Sequence, residues 1–292
     1  NTQEMICAAY HVMYASSLGV KVFKEGKYTG QIGIVHSFGP VDGIDNSFQT
    51  KIAMRFADNY ANNWILDTAA KGKIPFDLLC VLSQNYDLSF IKDEQLETIK
   101  NNTVQFLGLN YYSRVLVKPY TQGDTVLVVN NTGKSNKGKS KVIIKGWFEQ
   151  IMDNPDAIYT EWDTEIYPQG LEKGLLEVYK RYHLPIYITE NGIGVREKIT
   201  DEMLEDDYRI SFMNDHINSI MNAVDKGVDV RGYYAWSSFD LYSWKNGVEK
   251  RYGLVGINFD DALKRIPKKS YYWYKKIIAD NGNSIERKEW NL

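Results

Sequence analysis

The sequence predicts an α/β chain built from parallel strand–helix units. Two observations carry this. Four short apolar or β-branched strands, near residues 32, 106, 187 and 232, are separated by segments of helical period. One of them, Ile186-Tyr187-Ile188-Thr189-Glu190-Asn191-Gly192, leads into a carboxylate and then a turn pair, so an acid is delivered to the C-terminal tip of a buried strand. Rigid strand ends are where a barrel enzyme mounts reactive groups.

The elements follow in order. Met5, Ala8, Ala9, Val12 and Met13 recur at helical spacing, and the pattern runs to about Phe23. Ile32-Gly33-Ile34-Val35 is a short strand, and residues 48–70 read as one long helix. A strand runs from Gln105 to Tyr112. Residues 121–145 turn to Gly, Ser, Asn and Lys around two β-rich patches, 126–129 and 142–144, which predicts a surface hairpin excursion rather than a linker. Leu171 to Tyr182 is helical, and Ile186 to Glu190 is a strand. Asp207 to Lys226 is a helix ending near Gly227. Val230 to Ser237 is a strand, and Ser270 to Ala279 a final helix. Residues 1–292 are expected to form one domain.

Composition narrows the function. Thirty-five basic residues stand against thirty-seven acidic ones, so nothing argues for nucleic acid as a partner. Attraction for an anion must be local. Cys7 and Cys80 lie in apolar surroundings without metal-ligand spacing and are expected to be buried, reduced thiols. The four histidines, His11, His36, His183 and His216, are scattered, so no metal site and no cofactor are expected. No unbroken apolar run of eighteen residues and no secretory leader are visible, which predicts a soluble, cytoplasmic protein with no membrane partner. Twenty-one Tyr and seven Trp would serve a large core or a sugar site equally well.

The segment from Leu184 to Gly194 resembles the nucleophile motif of the family 1 glycoside hydrolases. Four further stretches resemble that family in the expected order. They are Phe106-Leu107-Gly108-Leu109-Asn110-Tyr111-Tyr112, Glu165-Ile166-Tyr167-Pro168-Gln169-Gly170-Leu171, Gly232-Tyr233-Tyr234-Ala235-Trp236-Ser237 and Lys250-Arg251-Tyr252-Gly253-Leu254. The resemblance spans nearly the whole chain. It implies a (β/α)8 TIM barrel, of which four strands amount to the C-terminal half, strands five to eight. A half barrel leaves two strand edges and an apolar interior uncovered, so a partner is expected: an N-terminal barrel half or a second copy of this chain.

The resemblance also implies roles. Glu190 would be the nucleophile of a retaining double displacement, with a second carboxylate about 5–5.5 Å away as acid and base. The family carries that second group in an Asn-Glu-Pro motif, which this chain lacks. Glu165, Asp163, Asp240 and Glu249 lie near motif loops, but none matches the acid position. Tyr112 would hydrogen-bond the nucleophile, and Asn110 would line the same site. Trp236 would stack under the sugar, and Trp162 would flank the leaving group, beside Thr164 where relatives often carry an aromatic. Ser243, Lys250 and Tyr252 resemble the 6-phosphate pocket of the phospho-β-glycosidases. A phosphate dianion needs charge-assisted hydrogen bonds from a cation and hydroxyls. Trp244, directly after the serine, resembles the 6-phospho-β-galactosidases rather than the 6-phospho-β-glucosidases. The expected substrate is therefore a phosphorylated disaccharide or β-glycoside. Two other readings stay open: a non-catalytic half barrel that binds sugar phosphate, and a β-glucosidase acting on unphosphorylated sugar.

Overall fold

The computed structural model describes residues 2–128, 141–200, 202–243, 246–290 and 292. Its elements are α1 (Thr2–Glu25), β1 (Gly33–Phe38), β2 (Val41–Gly43), α2 (Phe48–Asp58), α3 (Trp64–Lys71), α4 (Phe76–Ser83) and α5 (Asp93–Asn101). Then come β3 (Phe106–Tyr111), β4 (Val115–Lys118), β5 (Val126–Val128), β6 (Lys141–Ile144), β7 (Phe148–Gln150) and α6 (Pro168–Tyr182). The chain ends with β8 (Ile186–Asn191), α7 (Asp207–Asp225), β9 (Val230–Ala235), β10 (Val255–Asn258), β11 (Lys264–Pro267) and α8 (Lys269–Ala279).

The four anticipated strands form one parallel sheet in the order β1-β3-β8-β9. Side chains alternate across it, as a pleated strand requires. Leu107, Leu109, Tyr111, Ile186 and Ile188 point outward into a core shared with Leu171, Leu175, Val178 and Ile220 of α6 and α7. Val35, Phe106, Tyr187 and Tyr234 belong to the other face, and Val35 and Tyr234 are more than half exposed there. That face is the interior of a barrel, open because, among the described residues, β1 and β9 each pair on one side only.

Three sequence expectations need correction. The helix expected over residues 48–70 is interrupted: Asn59–Asn63 forms a π turn between α2 and α3. Among its residues, Asn62 and Asn63 are buried and bond the carboxylate of Asp58, and Asn62 also caps the carbonyl of Gly39. The supposed surface excursion is more than a hairpin. β5 and β6 do pair antiparallel, but β6 also pairs with β7, in a five-stranded sheet ordered β2-β4-β7-β6-β5. Val142 and Ile144 of β6 pack beneath Ala53 and Ala57 of α2, since one face of that sheet needs an apolar cover, and Ile143 between them is buried as well. Residues 129–140, including the end of the first β-rich patch, lie outside the described residues. Helix α1 is long and apolar enough to cross a membrane by length and composition. Tyr, His and Ser interrupt its apolar residues, so it contains no unbroken apolar run. Its buried face, with Ile6 and Tyr10, packs into a cluster with α4 and α5. The third correction concerns Cys7 and Cys80, free thiols that are half-buried rather than buried.

Candidate active site

The register of β8 aims Glu190. Leu109 pairs with Ile188, but Asn110 pairs with Glu190, so one extra residue of β8 is accommodated at Thr189. A bulge of this kind bends a strand and re-aims its side chains. Here it lets Thr189 face Asn110, whose Oδ1 accepts the threonine hydroxyl at 2.6 Å, while Glu190 reaches the cleft at the strand tips. Tyr112, just beyond β3, donates its hydroxyl to Glu190 Oε2 at 2.6 Å. Burial and the adjacent carboxylate hold that phenol far above its ordinary pKa, so it stays a donor.

Asn191 fixes the tip. It is fully buried, donates to the carbonyl of Tyr111, accepts the hydroxyl of Tyr233, and takes the amide of Trp236 on its own carbonyl. Three strand ends are thereby tied together. Gly192 follows because nothing larger fits: a Cβ there would sit 1.8 Å from the carbonyl oxygen of Trp236. The Glu-Asn-Gly run thus supplies an acid, a buried clamp and a close backbone approach.

The cleft has a volume of about 650 Å³. Glu190, Tyr112, Trp162, Trp236, Ser243, Lys250 and Tyr252 all line it. Lys250 Nζ lies 5.1 Å from the ring centre of Trp162 and 5.3 Å from that of Tyr252. Its stem packs on the bare backbone of Gly194, where a Cβ would lie 2.6 Å from Lys250 Cε. Burial pushes the Tyr252 phenol up to about 12, so at neutral pH it is a hydrogen-bond donor. Ser243 is held in a tight loop: its amide and carbonyl exchange two hydrogen bonds with Gly247, each 2.8 Å, and its Oγ accepts the amide of Asn246. The indole nitrogen of Trp162 is buried in the cleft wall and has no hydrogen-bond partner among the described residues.

Beneath the cleft runs a buried ionic network. Arg209 of α7, 1% exposed, pairs with Asp206 and Glu197 and donates to the carbonyls of Ile193 at 2.5 Å and Tyr252 at 3.1 Å. Lys268 joins Glu197 to Asp240, and Asp240 also holds Arg251. Burial and the nearby Arg209 cation lower the pKa of Lys268, against the pull of the two carboxylates. These groups pin the loop after β8 to the loop after β9. Neither Asn191 nor Arg209 was marked from the sequence, although an Asp and an Arg three residues apart at a helix start was a usable signal.

Two expected site residues stand apart. Asn110 neighbours Glu190 in register, but its side chain engages Thr189 instead of lining the cleft. Trp244 lies outside the described residues. The substitute acids divide. Glu165 and Asp163 line the cleft, but Glu165 is buried in a two-pronged pair with Arg114, at 2.8 and 2.9 Å. Asp240 is buried in the ionic network, and Glu249 is exposed and paired with Arg196. Thr164 also lines the cleft.

Comparison with known proteins gives this site a family. The chain is 36% identical over 276 residues to a 6-phospho-beta-galactosidase of Clostridium acetobutylicum, covering 92% of this chain and 57% of that protein. It is 38% identical over 288 residues to a 6-phospho-beta-galactosidase of Staphylococcus aureus, covering 94% of this chain and 60% of the other. Among solved structures, a beta-glucosidase from Exiguobacterium marinum superposes with a TM-score of 0.81 at 30% identity, over 96% of this chain and 59% of that one. A family 1 b-glucosidase from Thermotoga maritima gives 0.79 at 27% identity, over 94% and 56%. The chain therefore spans under two thirds of the length of these relatives and forms a partial TIM barrel. The glycosyl hydrolase family 1 model matches residues 1–283, and the chain belongs to that family.

Proposed function

We propose that this chain is the nucleophile-bearing and phosphate-recognising part of a retaining 6-phospho-β-glycosidase. One observation carries the reading: Glu190, held by Tyr112, opens onto the same cleft as Ser243, Lys250 and Tyr252. In the proposed reaction Glu190 attacks the anomeric carbon while the bond to the leaving oxygen breaks. A carboxylic acid protonates that oxygen, then takes a proton from the water that releases the sugar. With Glu165 and Asp240 engaged by cations and no Asn-Glu-Pro in the sequence, this acid would come from a complementary barrel segment packed against the open sheet. Residues 1–292 act as one domain in this reading, and the isolated chain would bind without turnover.

Ser243, Lys250 and Tyr252 would take the 6-phosphate, Trp236 the sugar face and Trp162 the leaving-group side. Trp244 and the names of the relatives favour a 6-phospho-β-galactoside over a 6-phospho-β-glucoside or an unphosphorylated glucoside. Phosphorylated disaccharides of the kind made during phosphotransferase uptake arise in the cytoplasm, where this reading puts the protein. The test is calorimetry on the chain itself. Galactose 6-phosphate should bind and galactose should bind far more weakly. Lys250→Ala should weaken the phosphorylated sugar at least tenfold, as expected for loss of a charge-assisted hydrogen bond worth about 1.5–3 kcal/mol. Equal binding of the two sugars by the wild type would reject the phosphate pocket.

A further inference from the structure

The rim of the cleft carries a second cation whose contacts are with carboxylates and an indole. Arg196, in the loop after β8, donates from Nη1 to Glu161 at 2.9 Å and from Nη2 to Glu249 at 3.2 Å. Its guanidinium carbon lies 4.6 Å from the ring centre of Trp162, the same indole that faces Lys250 at 5.1 Å. Val195 and Arg251 exchange two backbone hydrogen bonds, 2.8 and 3.1 Å, so the loop bearing Arg196 is stapled to the loop bearing Glu249 and Lys250. Three rim segments therefore meet on one guanidinium.

We propose that Arg196 is a positioning residue for anion recognition: it neutralises Glu161 and Glu249 at the cleft rim, so that these two carboxylates do not compete with a sugar phosphate for Lys250. The inference rests on the phosphate reading above and deepens it. Glu249 immediately precedes Lys250 in the chain. A carboxylate there without its cation would compete for the ammonium and repel a phosphate dianion through solvent of intermediate dielectric. Arg196 is suited to the task because its planar fork engages two carboxylates while its face rests on an aromatic ring. The fold does not depend on the pairs, whose side chains are between 42% and 54% exposed.

The experiment compares three proteins by calorimetry at low and at physiological salt: wild type, Arg196→Ala, and Arg196→Ala with Glu249→Ala. Galactose 6-phosphate is the probe, and thermal melting monitors the fold. The single variant should bind about fivefold more weakly at low salt, less so at higher salt, with an unchanged melting temperature. The double variant should recover most of the loss. Wild-type affinity in the single variant overturns the proposal, as does a loss that the double variant fails to recover. A wild type that binds no galactose 6-phosphate overturns the phosphate reading and this inference with it.

Discussion

Glu190 depends on its neighbours more than on its own place in the chain. The tether from Tyr112 is a short hydrogen bond between a neutral phenol and a carboxylate, the class worth roughly 1.5–3 kcal/mol. Tyr112→Phe should therefore lower turnover about tenfold to a hundredfold in the completed enzyme, with little change in melting temperature. Unaltered turnover would mean that the phenol does not serve the nucleophile. The resemblance in sequence identified this pair because both residues sit inside contiguous motifs. Asn191 and Arg209 escaped notice because their value lies in what they hold: carbonyls and hydroxyls from elements far off in the chain. Spacing along one sequence cannot report such contacts. Asn110 shows the converse, since its motif position was clear but the bulge at Thr189 decides which way its side chain is used.

At the scale of elements, strands and long helices were legible because their apolar period is strong. The small five-stranded sheet was not: its strands span only three or four residues, too short for a period to register, and they are brought together by α2. Helix α7 carries a buried polar group with consequences for stability. His216 is fully buried, stacked on Phe212 at 3.9 Å and near Tyr111, with Nδ1 on the carbonyl of Phe212 and, among the described residues, no partner for Nε2. Burial lowers its pKa from 6.5 to about 4. The unfolded chain therefore binds more protons than the folded one between these values. Its stabilising contribution is complete above pH 6.5 and is lost as the pH falls toward 4. Urea unfolding should show a decline of about 2 kcal/mol from this group between roughly pH 7 and pH 5. His216→Leu should lack that component. A variant whose stability falls as steeply as the wild type over this interval would show that His216 does not charge on unfolding.

The whole molecule is a partial barrel. Among the described residues its parallel sheet ends in two open edges and its interior face exposes Val35 and Tyr234, the surface that the proposed complementary segment would cover. The four strands were readable as apolar runs, while their place as strands five to eight came from the family resemblance. The openness followed only from counting them against the eight that closure needs. The central claim is the proposed pairing of Glu190, tethered by Tyr112, with an anion pocket in the same cleft. It is tested by joining the chain to a complementary N-terminal barrel portion from a family relative, exposing it briefly to a 6-phospho-β-galactoside with a good leaving group, and locating the trapped sugar by peptide mass spectrometry. The sugar phosphate should be found esterified to Glu190, and Glu190→Gln should form no adduct and show no turnover. An adduct on another residue, or turnover that survives in Glu190→Gln, would contradict the account.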